Sequence, residues 1–224
     1  MKFFIIIKEN SERVPEKNFR KLNHIPLWKN LIHELEGEDV YIDTDSKQIL
    51  EECKTISWVT AYPRKQEFID FENNNNQSHS PVLLMINNFL DNYVSNEDEI
   101  IITPHVTSPF LKLDTIKKAS KKLKEGYDSI NSVTEHKEFS YYKGIPINFK
   151  KDVVQKTQDL EPIIMSNGAF FIFKKKTFKK HNNRVGTNPY FYTLPSIEDI
   201  EIDTYNDLIL AKLVAKGLGK IYTI

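Results

Sequence analysis

Phe3-Phe4-Ile5-Ile6-Ile7, followed directly by Lys8-Glu9-Asn10-Ser11-Glu12-Arg13-Val14-Pro15-Glu16-Lys17-Asn18, is the stretch on which the fold turns. An unbroken run of aromatic and β-branched residues marks a strand covered on both faces. The polar segment behind it places Lys8, Arg13 and Lys17 within ten residues, with the Ser11 hydroxyl among them and the Asn18 amide at the end. Cations on a loop at a strand's carboxyl end suit a polyphosphate. Phosphoryl transfer needs such a loop, because its catalysis is mostly positioning and charge stabilisation. The spacing is not Gly-x4-Gly-Lys-Ser/Thr, so this is no P-loop. On charge alone, a polar connection whose cations pair with Glu9, Glu12 and Glu16 accounts for the same residues.

Working outward, further strands are expected at Val40–Ile42, Glu99–Thr103, Ser129–Val133 and Ala169–Phe173, with a last short one near Tyr222. Helical patterns fall between them, at Leu27–Leu35, Ser46–Cys53, Pro81–Tyr93, Leu113–Lys124 and Asp203–Lys216. Strands alternating with helices predict an α/β, Rossmann-like fold: a mostly parallel sheet with helices on both faces. Such sheets bind ligands beyond the carboxyl ends of their strands, here after Ile7, Ile42, Thr103 and Phe173. The polar stretch from about Glu72 to Ser80, with Asn73–Asn76 inside it, reads as a surface loop. A chain of 224 residues fits one domain. Lys+Arg and Asp+Glu both number 31, which argues against a general nucleic-acid binder. The lysines of Leu113–Lys124 read as a solvated helix face. Cys53 is the only cysteine, so no disulfide forms within the chain, and Phe3–Ile7 is too short for a signal or membrane segment. A cytoplasmic protein that does not engage membranes is the expectation.

Several motifs then appear in a fixed order. Ser11-Glu12-Arg13-Val14-Pro15-x-Lys17-Asn18 with Leu22-x-x-x-Pro26-Leu27 resembles the N-terminal signature of the CMP-sialic acid synthetase (acylneuraminate cytidylyltransferase) family, of which the chain looks like a divergent member. Asp43-Thr44-Asp45 is similar to a family turn. Tyr62-Pro63-Arg64 stands in place of an Arg-Pro segment. Thr107-Ser108-Pro109 matches a Thr-Ser-Pro turn, with His105 where Gln is usual. Ser166-Asn167-Gly168-Ala169 resembles the Asn-Gly-Ala strand, and Ile200-Glu201-Ile202-Asp203-Thr204 the Ile-Asp-Ile-Asp-Thr segment. The family carries Arg where this chain has Lys8, small residues at Glu9 and Asn10, Asp at Glu201 and Arg at Leu111.

The resemblance implies a fold of the nucleotide-diphospho-sugar transferase type, with a small insertion near 135–165 that forms a dimer and shapes the sugar pocket. It implies CTP and an acidic sugar as substrates, with Lys8, Ser11, Arg13, Lys17, Asn18, Arg64 and Ser80 on the nucleotide. His105, Thr107, Ser108 and Asn167 would meet the sugar, and Lys17 and Asp203 would be catalytic. Glu201 and Asp203 lie two apart on an extended segment, so both can face one side; paired carboxylates suit Mg2+. The expected reaction joins CMP from CTP to a 2-keto acidic sugar such as N-acylneuraminate, legionaminate or pseudaminate, releasing pyrophosphate. Structural readings stay open beside these: Asp45, Ser80 or Asp203 as helix caps, and Arg64 as a solvent-exposed side chain. Two other functions also stay open: a nucleotide-sugar-binding or scaffold protein without catalysis, and a transferase using another nucleotide or acceptor.

Overall fold

The alternation within Phe3–Ile7 divides the run between two cores. In the computed structural model, which describes residues 1–74 and 80–221, Lys2–Ile7 forms strand β1. Phe3, Ile5 and Ile7 face one side of the sheet, while Phe4 faces the other with Ile6 packed beside it. A strand buried on both faces must be central, and β1 is. Among the described residues it is followed by β2 (Lys21–Leu22), β3 (Ile25–Pro26), α1 (Leu27–Glu34), β4 (Val40–Thr44), α2 (Lys47–Cys53), β5 (Val59–Pro63), α3 (Gln66–Asn73) and α4 (Val82–Tyr93). Then come β6 (Ile100–Pro104), α5 (Leu113–Ser120), β7 (Ser129–His136), β8 (Tyr141–Tyr142) and β9 (Ile145–Pro146). The chain closes with β10 (Ile163–Lys174), α6 (Lys175–His181), β11 (Pro189–Thr193) and α7 (Tyr205–Ile221).

The main sheet runs β11-β7-β10-β6-β1-β4-β5. Neighbours pair in parallel except β10, which is antiparallel to both β6 and β7. Trp28, Leu31 and Ile32 of α1, Ile49 of α2 and Ile116 of α5 cover one face. Phe68 of α3, Met85, Ile86 and Phe89 of α4 and Phe178 of α6 cover the other, where Phe4 and Phe89 stack with centroids 4.5 Å apart. The expected α/β sheet with helices on both faces is therefore what forms. A third cluster joins Leu208, Ala211 and Ala215 of α7 to Val14 and Leu22 of the first loop region, so the two ends of the chain meet.

The strands and helices expected within the described residues appear, with shifted ends. Elements α3, α6, β5 and β11 and the short strands β2 and β3 were not anticipated. The strand expected near Tyr222 falls outside the described residues, as does the 75–79 part of the polar loop. Between β7 and β10, the hairpin β8–β9 leaves Tyr141, Tyr142 and Ile145 exposed.

The parallel strands β1, β4 and β6 bring their carboxyl ends to one edge. Antiparallel β10 delivers its first half to that same edge. His105 N–H donates to the Ala169 carbonyl there, at 2.9 Å. The β10–β7 register shifts between Ser166 and Phe171. Gly168 sits inside that irregularity at φ 71°, a left-handed conformation that favours glycine.

Candidate active site

The first loop is fastened at both ends before its cations reach the cleft. Asn18 is buried, and its amide donates to the Lys8 carbonyl at 2.8 Å, closing the loop on itself. Glu9 N–H donates to Asp45 Oδ1 at 2.7 Å, and the Ser46 hydroxyl donates to Glu9 Oε1 at 3.3 Å. The Glu9 carboxylate is thus drawn towards Ser46 and is not on the cavity wall. Asp45 ties down the first loop; it does not cap α2. Val14, fully buried against α7, anchors the middle of the loop.

Arg13 and Lys17 then converge on the far end of the sequence. Arg13 Nη2 lies 2.8 Å from Asp203 Oδ1; Lys17 Nζ lies 3.3 Å from the same oxygen and 2.8 Å from the Ile202 carbonyl. Asp203 is free for this because the start of α7 is capped by other residues. Thr204 Oγ1 accepts from Asp207 N–H at 3.3 Å, while Asp207 Oδ2 accepts from Thr204 N–H at 2.7 Å and from Asp203 N–H at 3.0 Å. This is a reciprocal capping box.

Glu201 stands beside Asp203, and the Thr107 hydroxyl donates to its Oε1 at 3.4 Å. Burial first, and the Asp203 charge second, push the Glu201 carboxyl above the ordinary range. A Cβ on Gly168 would sit 3.6 Å from Glu201 Oε1 and 3.7 Å from His105 Nδ1, so the left-handed glycine, the acid and the imidazole share one corner. Burial, helped by the charges of Arg184 and Lys17, pushes His105 down to about 4. Its ring is neutral at physiological pH and offers one donor and one acceptor.

A cavity of about 350 Å³ opens between these groups, with Lys8, Ser11, Arg13, Lys17 and Asn18 along one wall. Ser80, His105 and Thr107 also line it. Ser80 Oγ lies 3.4 Å from Val82 N at the start of α4, so both readings of that serine fit. Glu201 and Asp203 lie behind the lining, each bonded to a residue that forms it. Mg2+ is commonly held by one or two carboxylates together with substrate phosphates. Glu201 and Asp203 beside a cationic loop fit that donor set. Among the described residues no group of three or more His, Cys, Asp or Glu would hold a metal by itself.

Three expected contacts are placed elsewhere. Arg64 is neither solvent-exposed nor on the cavity wall: its buried guanidinium donates to Asp43 Oδ1 at 2.7 Å, to Glu72 Oε2 at 2.9 Å and to the Ile7 carbonyl at 3.3 Å. Burial pushes Asp43 upward, and Arg64 offsets part of that. Glu72 in turn lies 3.7 Å from Lys8 Nζ, so Arg64 supports the first loop from behind. Asn167 spends its amide on Thr134 and its carbonyl on Ser132 and the Ala169 N–H, which holds the β10 irregularity in shape. Ser108 is buried away from the cavity wall, and its hydroxyl has no partner among the described residues. Among the charged residues of the cavity wall, Glu72 and Arg184 lie outside every motif the sequence offered. Glu72 sits in a polar helix, and Arg184 follows an Asn-Asn turn; neither position carries a local pattern that marks it.

A family model described as cytidylyltransferase matches residues 5–203, nearly the whole of this frame. The chain belongs to the cytidylyltransferase family. It is similar to an N-acylneuraminate cytidylyltransferase of Streptococcus agalactiae serotype III (strain NEM316), 26% identical over an alignment 220 residues long that covers 90% of this chain and 50% of that protein. It is also similar to N-acylneuraminate cytidylyltransferase A of Danio rerio, 24% identical over 213 residues, 89% of this chain and 47% of that one. The chain thus spans about half the length of the curated relatives it matches. Among solved structures it resembles a 4-diphosphocytidyl-2C-methyl-D-erythritol synthase, with a TM-score of 0.64, 7% identity, and 95% and 98% of the two chains covered. It likewise resembles a CMP:2-keto-3-deoxy-manno-octonic acid synthetase complexed with CTP, with a TM-score of 0.62, 11% identity, and 96% and 98% covered. At those identities the structures show the shared fold of this cytidylyltransferase.

Proposed function

We propose that this chain transfers CMP from CTP to an acidic 2-keto sugar of the nonulosonic type, such as N-acylneuraminate, legionaminate or pseudaminate, and releases pyrophosphate. The observation that carries the reading is the convergence of Arg13 and Lys17 on Asp203, which brings a cationic loop and a carboxylate pair to one point. The relatives named N-acylneuraminate cytidylyltransferase support the choice of sugar.

In this reading the CTP triphosphate enters along Lys8, Ser11, Arg13 and Lys17, with Ser80 further along the wall. Arg13 and Lys17 exchange the Asp203 carboxylate for phosphate oxygens. The acceptor's anomeric hydroxyl attacks the α-phosphorus in line and gives up its proton to solvent; the bond to the bridging oxygen breaks, and the pyrophosphate leaves with the negative charge. Lys17, held 2.8 Å from the Ile202 carbonyl, is positioned to stabilise that charge. Glu201 and Asp203 would hold Mg2+, which when bound neutralises phosphate charge and lowers the pKa of a coordinated hydroxyl. His105 and Thr107 orient the acceptor through neutral hydrogen bonds. The exposed Tyr141, Tyr142 and Ile145 of the 135–165 insertion support a homodimer built through that segment. Among the described residues no helix is long and apolar enough to cross a membrane.

The test is pyrophosphate release from CTP with a panel of nonulosonic acids, 3-deoxy-manno-octulosonate and 2-C-methyl-D-erythritol 4-phosphate, repeated with UTP and ATP. Release that needs both CTP and a nonulosonic acid supports the reading. Release only with the erythritol phosphate, or none with any acceptor while CTP still binds, refutes it.

A further inference from the structure

The cavity holds one cation that the first loop does not supply. Arg184 comes from the connection between α6 and β11 and lines the cavity together with His105. Its guanidinium carbon lies 3.8 Å from the centroid of the Phe171 ring, and that ring lies 6.3 Å from His105. Every loop cation in the cleft has an acid: Lys8 has Glu72, and Arg13 and Lys17 share Asp203. Among the described residues Arg184 makes no ion pair and no hydrogen bond. Burial pushes it down to about 10, which leaves it charged at neutral pH.

The segment that carries it is built to stay in place. Asn182 ends α6 in a left-handed conformation at φ 48°. Asn183 Oδ1 accepts from Val185 N–H at 3.1 Å, and Val185 packs into the core on the α4 side. Gly186 N–H donates to Ser129 Oγ at 2.8 Å, and Thr187 and Asn188 N–H donate to Asp128 Oδ2 at 2.7 and 3.0 Å. A Cβ on Gly186 would run into the Asp128 carboxylate, so this turn is reserved for glycine. A largely desolvated guanidinium without a counter-charge is costly to the fold unless a ligand brings the anion. A guanidinium seated over an aromatic ring with none of its donors spent on the protein keeps its fork of N–H groups for a ligand, which suits a planar carboxylate.

The geometry points to Arg184 as the residue that takes the acceptor's carboxylate, and so as the determinant that makes the acceptor an acid. This rests on the proposed transfer to a 2-keto acidic sugar. The phosphates are served by the first loop; Arg184 stands at the His105 corner, where that sugar is expected.

Arg184→Met and Arg184→Lys test it. CTP affinity by calorimetry is expected to stay within about twofold of wild type in both. In Arg184→Met the KM for the acid rises by roughly 30-fold or more, and discrimination between the acid and its carboxamide collapses. Arg184→Lys, which keeps the charge without the fork, falls between. Thermal unfolding of Arg184→Met is unchanged or higher, since an unpaired charge has been removed, and this sets folding defects apart. An unchanged KM for the acid, or a fall in CTP affinity with acceptor KM intact, overturns the assignment. Failure of the wild type to use any 2-keto acid removes the proposed transfer and this assignment with it; turnover that is indifferent to Arg184 removes only the assignment.

Discussion

Asp203 shows how one carboxylate is kept available. It lies one residue before the cap position of α7, where Thr204 and Asp207 close the helix start, and Asp203 meets Arg13 and Lys17. An Asp203→Ala variant is expected to lose about 100-fold or more in kcat, measured as pyrophosphate release, while its circular dichroism stays that of the wild type. Lys17 and Asp203 could be picked out from sequence because their motifs are contiguous. Arg184 could not, because only the fold brings it over Phe171. His105 gives a prediction that needs no substrate. Its folded pKa is about 4 against 6.5 unfolded. Between those values the unfolded chain binds a proton that the folded chain refuses, so stability falls as pH drops from 6.5 to 4. The contribution is at most about 3 kcal/mol. Denaturant titrations of His105→Gln are expected to show a shallower loss over that window than wild type.

At the scale of elements, the first loop and the last helix form one unit. Val14 packs with Leu208 and Ala211, and the capping box sets where α7 begins. Thr204→Ala is expected to cost about 1 kcal/mol, the usual value of a lost cap, read as a lower denaturant midpoint with an unchanged slope. Most strands found from sequence, such as β1 and β6, carry unbroken apolar runs; β7, with Asn131 and Ser132 inside it, does not. Elements β5 and β11 are the outer strands of the sheet. Their segments, Val59-Thr60-Ala61-Tyr62-Pro63 and Pro189-Tyr190-Phe191-Tyr192-Thr193, mix polar residues and proline into half-buried positions. Edge strands have one neighbour and need no continuous apolar run, so their signal is weak. Helix α3 escaped for a similar reason: within it only Phe68 is buried.

For the whole molecule, the sheet order explains why residues nearly two hundred positions apart build one cleft. Parallel β1, β4 and β6 align their carboxyl ends, and antiparallel β10 returns Gly168 to the same edge. The Asp43–Arg64–Glu72 chain under that edge links β4, the turn after β5, and α3 to the first loop. Arg64→Met leaves Asp43 buried without its partner and Glu72 with Lys8 alone. It is expected to cost about 3–5 kcal/mol, seen as a large fall in the unfolding midpoint. The motif order conveyed much of this architecture, because the motifs around Ser11–Asn18, Asp43–Asp45 and Thr107–Pro109 stand at the carboxyl ends of β1, β4 and β6. The reversed roles of Arg64, Asn167 and Ser108 were hidden, because burial decides them and a motif does not encode burial.

The central claim is that this cleft joins CMP to an acceptor hydroxyl at the expense of the CTP β,γ-phosphates. Phosphorus NMR of the protein with CTP, Mg2+ and a nonulosonic acid measures it most directly. The account predicts a new CMP phosphodiester resonance and pyrophosphate in equal amounts, both appearing about 100-fold or more slowly in the Asp203→Ala variant. Formation of CDP and orthophosphate, or an unchanged CTP spectrum with every acid, would contradict it.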